Sequence, residues 1–325
     1  MKKSIIVSHS YCTDGLTAAA IMKLYLYQTT GENPTVVFAA YGKEENAIEK
    51  IISNSSDKTT VYIVDFSFNE EMTSQICKSN KKVIVIDHHR GVVDKLQNIK
   101  DENFELIFDN DKSGARLAYD YALSNGFCFK EISNISRITN LVQDRDLWQF
   151  KFKDTIPFAE YIFSNVKPND IDKMISILSN SQSKTDQLIK KGKSIADYKK
   201  NLVENKLEYS EPEIKTFVIK NESGSLVELD VLLVNETQAD LVSQLGNALV
   251  EKYNIPVLLY SISRPSSGFA ECSLRSIDSL PAVDVFCRHF GGGGHRNASG
   301  CKIPIQKLLS SEDNKWKKLQ ENLIR

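Results

Sequence analysis

The sequence contains only five histidines, His9, His88, His89, His289 and His295, and their placement is uneven. Three of them lie at the ends of short runs of Val and Ile: His9 after Ile5–Val7, and His88-His89 after Val83–Ile86, with one residue between the run and the nearest histidine in each case. The other two flank the glycine run Gly291–Gly294. Carboxylates share these places and add another. Asp14 follows His9 in Ser8-His9-Ser10-Tyr11-Cys12-Thr13-Asp14-Gly15, Asp65 ends Val61-Tyr62-Ile63-Val64, and Asp87 ends Val83-Ile84-Val85-Ile86. A carboxylate leaving a buried strand must find a partner. Mixed Asp and His ligands suit a divalent cation, and such a cation activates water and neutralises phosphate charge. Any one of these Asp residues could instead cap a helix; the set, with a His-His pair at a strand end, has no such structural reason. Asp144, in Gln143-Asp144-Arg145-Asp146-Leu147-Trp148, reads either as a further ligand carried by a helix or as an ordinary helix-terminal salt-bridge group.

These residues need a scaffold that brings strand ends together. Apolar runs at Ile5–Val7, Thr35–Tyr41, Val61–Phe66, Val83–Ile86 and Phe104–Phe108 alternate with helix-like segments at Leu16–Tyr27, Glu44–Ile52, Glu70–Lys78, Ala115–Leu123 and Ile132–Leu147. Continuous apolar strands separated by helices predict βαβ units, hence a parallel sheet covered by helices on both faces. Open α/β sheets bind ligands outside the carboxyl ends of their strands, which is where the His and Asp residues fall. From Phe158 to Leu207 the pattern is helical, and its polar, lysine-rich end predicts an exposed connecting helix with a solvated face. The remainder predicts a smaller α/β domain, with strands at Ile214–Ile219, Leu229–Val234, Pro256–Ile262 and Gly268–Leu274, helices at Ala239–Tyr253 and Ala282–Phe290, and a last polar helix at Ile305–Leu323. The expected division is 1–180, a helical linker at 181–210, and 211–325.

Composition narrows the function. The 41 basic residues nearly balance 42 acidic ones, for a net charge of −1. A protein that coats long duplexes would be strongly basic, because its affinity comes from phosphate neutralisation and counterion release. A nucleic-acid partner is therefore expected to be small and held in a local pocket. No apolar run approaches the roughly 18 residues that suggest a membrane span, and the apolar stretch near Met1 is too short for a signal-peptide core. The six cysteines, Cys12, Cys77, Cys128, Cys272, Cys287 and Cys301, are scattered with no C-x-x-C pair. They read as reduced thiols of a cytoplasmic protein. There is no Walker A loop and no G-x-S-x-G elbow.

The ordered series of motifs resembles the DHH phosphoesterase superfamily, nearly end to end. That superfamily includes RecJ-type exonucleases, nanoRNases (oligoribonucleases), 3′-phosphoadenosine 5′-phosphate phosphatases, cyclic-dinucleotide phosphodiesterases and exopolyphosphatases. His9 to Gly15, followed by Ala18-Ala19-Ala20, is similar to its first motif, Val64-Asp65-Phe66-Ser67 to the second, and Ile86-Asp87-His88-His89 is the signature triplet. Asp144-Arg145-Asp146-Leu147-Trp148 resembles the fourth motif of the oligoribonuclease-like branch, which Ser113-Gly114-Ala115 also matches. Ser273-Leu274-Arg275-Ser276 and Gly291-Gly292-Gly293-Gly294-His295-Arg296-Asn297-Ala298-Ser299-Gly300 resemble the arginine strand and glycine-rich motif of a C-terminal substrate-binding domain.

The resemblance implies two divalent cations, usually manganese. His9 and Asp65 would touch the first; Asp14, Asp65, His88 and Asp144 would hold the second, with Asp65 bridging. Asp87 would orient His88 from behind, and His89 would face the substrate phosphate. Ser113, Arg275, Gly292, Gly293, Gly294, His295 and Arg296 would bind substrate, the glycines through an open nest of backbone N–H groups and the cations through charge-assisted bonds. One departure stands out: the usual first motif carries two carboxylates after its His, and here only Asp14 remains. Cys12 is either a soft replacement ligand, which would favour zinc or iron, or a small buried thiol.

The implied reaction is metal-activated attack of water on a phosphodiester, degrading short oligonucleotides to mononucleotides. Other substrates of the superfamily (polyphosphate, cyclic dinucleotides, phosphoadenosine phosphate) stay open, as does a nucleotide-binding protein that has lost turnover with the missing carboxylate. A homodimer is compatible with the reading; a membrane is not expected.

Overall fold

A computed structural model of the chain describes residues 3–89, 91, 96–128, 132–209, 212–220, 224–309 and 316–317. It divides into two compact units, Met1–Ala196 and Asp197–Arg325.

The first unit is built on five strands, β1 (Lys3–His9), β2 (Thr35–Ala39), β3 (Thr59–Val64), β4 (Lys82–Asp87) and β5 (Phe104–Phe108). They form one all-parallel sheet in the order β2-β1-β3-β4-β5. Alternation along each strand sends side chains to two separate cores. Ile6, Tyr62, Val64, Ile84 and Ile86 face α1 (Thr13–Thr30) and α4 (Gly114–Ser124). Ile5, Val7, Val61, Ile63, Val83 and Val85 face α2 (Glu44–Ser53) and α3 (Glu70–Ser79). Burial on both faces explains why these strands read as unbroken apolar runs. Helices α5 (Ile132–Asp146), α6 (Thr155–Asn165) and α7 (Ile171–Leu178) complete the first core. The 28-residue α8 (Gln182–Tyr209) carries the boundary between the units within it.

The second unit holds a seven-stranded mixed sheet in the order β10-β11-β9-β8-β7-β6-β12. Its strands are β6 (Glu213–Lys220), β7 (Leu226–Asn235), β8 (Val257–Ser261), β9 (Phe269–Arg275), β10 (Gly293–His295), β11 (Ala298–Pro304) and β12 (Trp316–Lys317). Among the described strand pairs of this sheet only β7 and β8 run parallel, and α9 (Val242–Tyr253) lies between them in sequence. Helix α10 (Val283–His289) covers the other face, where Phe217, Leu274 and Phe286 are fully buried.

Two segments depart from the sequence expectation. Gly293–His295 and Ala298–Pro304 form an antiparallel pair, although glycines and a short, half-polar run give little strand signal. The last expected helix is only Ile305–Leu309 (α11), after which Trp316–Lys317 pairs with Ile214–Lys215; its remaining residues lie outside those described. None of the described helices is long and apolar enough to cross a membrane.

Candidate metal centre

The carboxyl ends of β1, β3 and β4 meet the start of α1 and the end of α5. Three groups of ligand-type atoms there each lie within 4.8 Å of one another: His9, Cys12 and Asp65; Asp14, His88 and Asp146; and Asp65, Asp87, His88 and His89. His88 Nε2 stands 3.2 Å from Asp65 Oδ1, 3.7 Å from Asp146 Oδ2 and 4.0 Å from Asp14 Oδ2. His9 Nδ1 lies 3.9 Å from Asp65 Oδ2.

Asp65 is the centre of the arrangement. Its backbone turns into the left-handed region just past β3, with φ of 53°, while its N–H donates to the Ile86 carbonyl at 3.0 Å. Asp is one of the few non-glycine residues at ease there. Gly114 makes room for it: a Cβ on Gly114 would sit 2.4 Å from that of Asp65. The second oxygen, Oδ2, is buried and accepts no hydrogen bond. Burial, then the nearby Asp14, pushes the Asp65 carboxyl well above the usual carboxylate range. A buried carboxylate oxygen without a donor, beside a neutral imidazole and further carboxylates, fits a divalent cation.

The neighbours are prepared in the same sense. Asp14 accepts from the N–H groups of Gly114 (2.6 Å) and Ala115 (3.1 Å), so the positive end of α4 faces it. Burial, then His89, pulls His9 down to about 4, which leaves its ring neutral with a free lone pair. Asp146 is pushed up to about 7 by burial and then by Asp14, with His88 opposing. Burial, then Asp65, raises the Cys12 thiol well above its ordinary value, so without a metal it keeps its proton.

Several expected roles are corrected. Asp144 does not join the cluster. Its carboxylate accepts from the N–H groups of Lys151 (2.9 Å) and Phe152 (3.1 Å) and from the Thr155 hydroxyl, tying the end of α5 to the loop beyond it. Residues two apart on a helix point about 200° apart, so only one of Asp144 and Asp146 can face the strand ends, and it is Asp146. Asp87 does not hold the ring of His88: its Oδ1 accepts from His89 Nδ1 at 2.7 Å and from the His88 backbone N–H at 2.7 Å, and Ser67 donates to Oδ2. Ser113 is fully buried as the N-cap of α4, its hydroxyl accepting from Arg116 N–H. It therefore faces no open cleft.

In the second unit, a cleft of about 720 Å³ is lined by Ser243, Tyr260, Glu271, Arg275 and Gly292, among others. Arg275 Nη2 donates to Ser243 Oγ at 2.9 Å. Gly292 packs flush on β11, where a Cβ would come within 2.1 Å of the Gly300 carbonyl. Gly293, Gly294 and His295 are not part of this lining; they form exposed β10. Arg296 is spent on structure: it donates to the carbonyls of Ile277, Asp278 and Leu280 at 3.0–3.2 Å, closing the preceding loop. Of the expected substrate contacts here, the cleft gathers Arg275 and Gly292.

Residues 3–142 match the model of the DHH family, N-terminal domain. The uncharacterized protein R106 of Acanthamoeba polyphaga mimivirus is 27% identical over 307 residues, 91% of this chain and 66% of that protein. The oligoribonuclease NrnB of Bacillus subtilis (strain 168) is 26% identical over 260 residues, 77% of this chain and 60% of that protein. The chain thus spans slightly under two thirds of the length of these relatives. Among solved structures, an exopolyphosphatase-related protein from Bacteroides fragilis shares the fold, with a TM-score of 0.53 at 17% identity over 93% of this chain and 87% of that one. Residues 3–142 thus carry the N-terminal domain of the DHH family.

Proposed function

We propose that this chain is a divalent-metal-dependent phosphodiesterase of the cytoplasm that cleaves short oligonucleotides to mononucleotides. The observation that carries the metal dependence is the buried, donor-less Oδ2 of Asp65 between His9 and the other carboxylates. Similarity to an oligoribonuclease over 77% of the chain favours the substrate class. A net charge of −1 fits short substrates better than long duplexes.

In this reading His9, Asp65 and Cys12 hold one cation, and Asp14, Asp65, His88 and Asp146 hold the other, with manganese the expected metal. Bound cations supply an activated water and neutralise charge on the phosphate. His9, neutral at pH 7, is ready to donate its lone pair. Burial opposes charge on His89, but its bond to Asp87 favours the protonated ring, and in that form the second ring nitrogen donates to a phosphate oxygen. Arg275, beside Gly292, binds a substrate phosphate in the second unit. A second reading, a nucleotide binder without turnover, draws on the loss of one first-motif carboxylate, which leaves Asp14 alone among residues 10–14.

The test is a hydrolysis screen of RNA and DNA of two to about ten nucleotides, a cyclic dinucleotide, 3′-phosphoadenosine 5′-phosphate and polyphosphate. It is run with manganese, with chelator, and with Asp65→Asn. Metal-dependent loss of dinucleotides, absent in the variant, is expected. Preference for polyphosphate or the cyclic dinucleotide would replace the substrate assignment, and silence across the panel with nucleotide binding intact would favour the binder.

A further inference from the structure

Beside the metal centre, within the first unit, lies a second cavity of about 320 Å³, and neither the ligand cluster nor the family signature accounts for its walls. One end is formed by His9, Cys12, Asp14 and Asp146 of the cluster. Its sides are Leu141 and Val142 of α5 and Phe158, Ala159 and Phe163 of α6; Tyr11, Thr13 and Arg145 also line it.

Two of its aromatic lining residues are open to solvent: Tyr11 is 78% exposed and Phe163 52% exposed. Tyr11 also has a φ of 60°, a strained conformation for an aromatic residue. Asn169 imposes it: its Oδ1 accepts from the Tyr11 N–H at 3.2 Å, and its Nδ2 donates to Ser10 Oγ at 2.9 Å. Asn169 is itself left-handed, with φ of 64°. Strain of this kind persists where the surroundings fix it and collects at ligand sites.

Arg145 adds the second observation. Its guanidinium lies over the indole of Trp148, with Cζ 4.2 Å from the ring centre and 6.0 Å from that of Phe163. Among the described residues its guanidinium makes no hydrogen bond and no ion pair within 4.0 Å, and the charges that act on it are the carboxylates of Glu160 and Asp146. A guanidinium held flat by stacking keeps its fork of donors at its edge, here on the wall of the cavity.

We propose that this cavity binds the nucleobase of the nucleotide whose phosphate lies at the metal centre: the base stacks on Phe163 and Tyr11, and Arg145 donates to acceptors on its edge. Two features select a base over a phosphate. Apolar walls from Leu141, Val142 and Phe158 offer a phosphate nothing. Exposed aromatic faces beside a cation are the chemistry by which proteins hold single-stranded bases. The volume, at the lower end of the roughly 300–1,000 Å³ of ligand pockets, suits one nucleoside and not two stacked ones.

The proposal rests on the phosphodiesterase reading, so the experiment separates the two. KM for manganese-dependent cleavage is measured on a dinucleotide and on its abasic counterpart, which keeps the phosphodiester and loses the base. The wild type is expected to favour the base-bearing substrate by about tenfold or more in KM. That ratio should collapse toward one in Phe163→Ala and in Tyr11→Ala, and fall in Arg145→Gln, with unchanged melting curves as the folding control. A ratio that stays at its wild-type value in all the variants overturns the pocket. If neither substrate is cleaved, the phosphodiesterase reading fails, and binding alone decides the pocket. A 2-aminopurine dinucleotide is then titrated in chelator: quenching that is lost in Phe163→Ala upholds the pocket, and no quenching in the wild type overturns it.

Discussion

Asp87 holds the ring of His89: its Oδ1 lies 2.7 Å from His89 Nδ1, while the imidazole of His88 turns to Asp65 instead. The two histidines of the signature are thus divided between two jobs. Burial opposes charge on both Asp87 and His89. Even so, their mutual bond, with help from Ser67, holds the Asp87 carboxyl below its ordinary value and lifts His89 above its own. Asp87→Asn removes the anion and leaves burial to act alone, so the His89 titration should move to lower pH. Proton NMR of the ring in the metal-free protein reads this directly. An unchanged His89 titration would mean that Asp87 does not control that proton. Activity at neutral pH should fall by about 10- to 100-fold with the protonated donor.

Asp65→Asn should reduce hydrolysis by at least about 100-fold. Asn tolerates the left-handed backbone that Asp65 adopts, so this variant tests the ligand and not the turn. Asp65→Ala adds about 1 kcal/mol of backbone cost. Equal melting temperatures for the two variants would show that the turn is not strained.

Asp144 and Asp146 should behave oppositely. Asp144→Asn replaces one of the two acceptor oxygens with an NH2 donor, so at least one of the Lys151 and Phe152 N–H groups loses its acceptor, which should cost about 1–3 kcal/mol of stability. Asp146→Asn should stabilise the metal-free protein. The Asp146 carboxyl, raised to about 7 by burial and Asp14, binds its proton more tightly folded than unfolded. Wild-type stability therefore falls as pH rises from about 4 to 7. The gap in favour of Asn should be widest above pH 7, about 1–2 kcal/mol given the partly exposed side chain, and should close toward pH 4. Thermal melts with chelator check the sign, and added manganese should reverse the order.

In the second unit, Arg275→Ala should raise KM about tenfold with little effect on kcat, since none of the metal-centre ligands is among the residues lining its cleft. Arg296→Ala should instead lower the melting temperature, because its guanidinium closes the 277–280 loop. An Arg296 variant with a raised KM and normal stability would return this residue to substrate binding.

The scaffold was legible because parallel strands buried on both faces leave unbroken apolar runs, and Val83–Ile86 is the clearest of them. The strand-end positions of His9, Asp65 and Asp87-His88-His89 followed from the same pattern. What stayed hidden depends on tertiary pairing. Nothing local in Gln143–Trp148 tells which carboxylate Thr155 and the Lys151 and Phe152 amides will claim. Ser113 and Arg296 have residue types that bind phosphate equally well as they cap a helix or close a loop. The glycine run concealed a strand because glycine carries no strand propensity, and only the close approach of Gly292 to Gly300 shows why a side chain is excluded there.

The two glycines that crowd Asp65 have an evolutionary consequence. A methyl group on Gly114 would collide with the Asp65 side chain, and one on Gly15 would come within 3.0 Å of its carboxylate. The middle of the cluster is sealed by backbone, so a longer acid at position 65, or any side chain at 15 or 114, has nowhere to go. Cys12 and Asp146 sit at the partly open edge. Tolerance to substitution is therefore greater at the rim, where Cys12 and Asp146 lie, than at the centre, where the aspartate between the glycines has no room to lengthen.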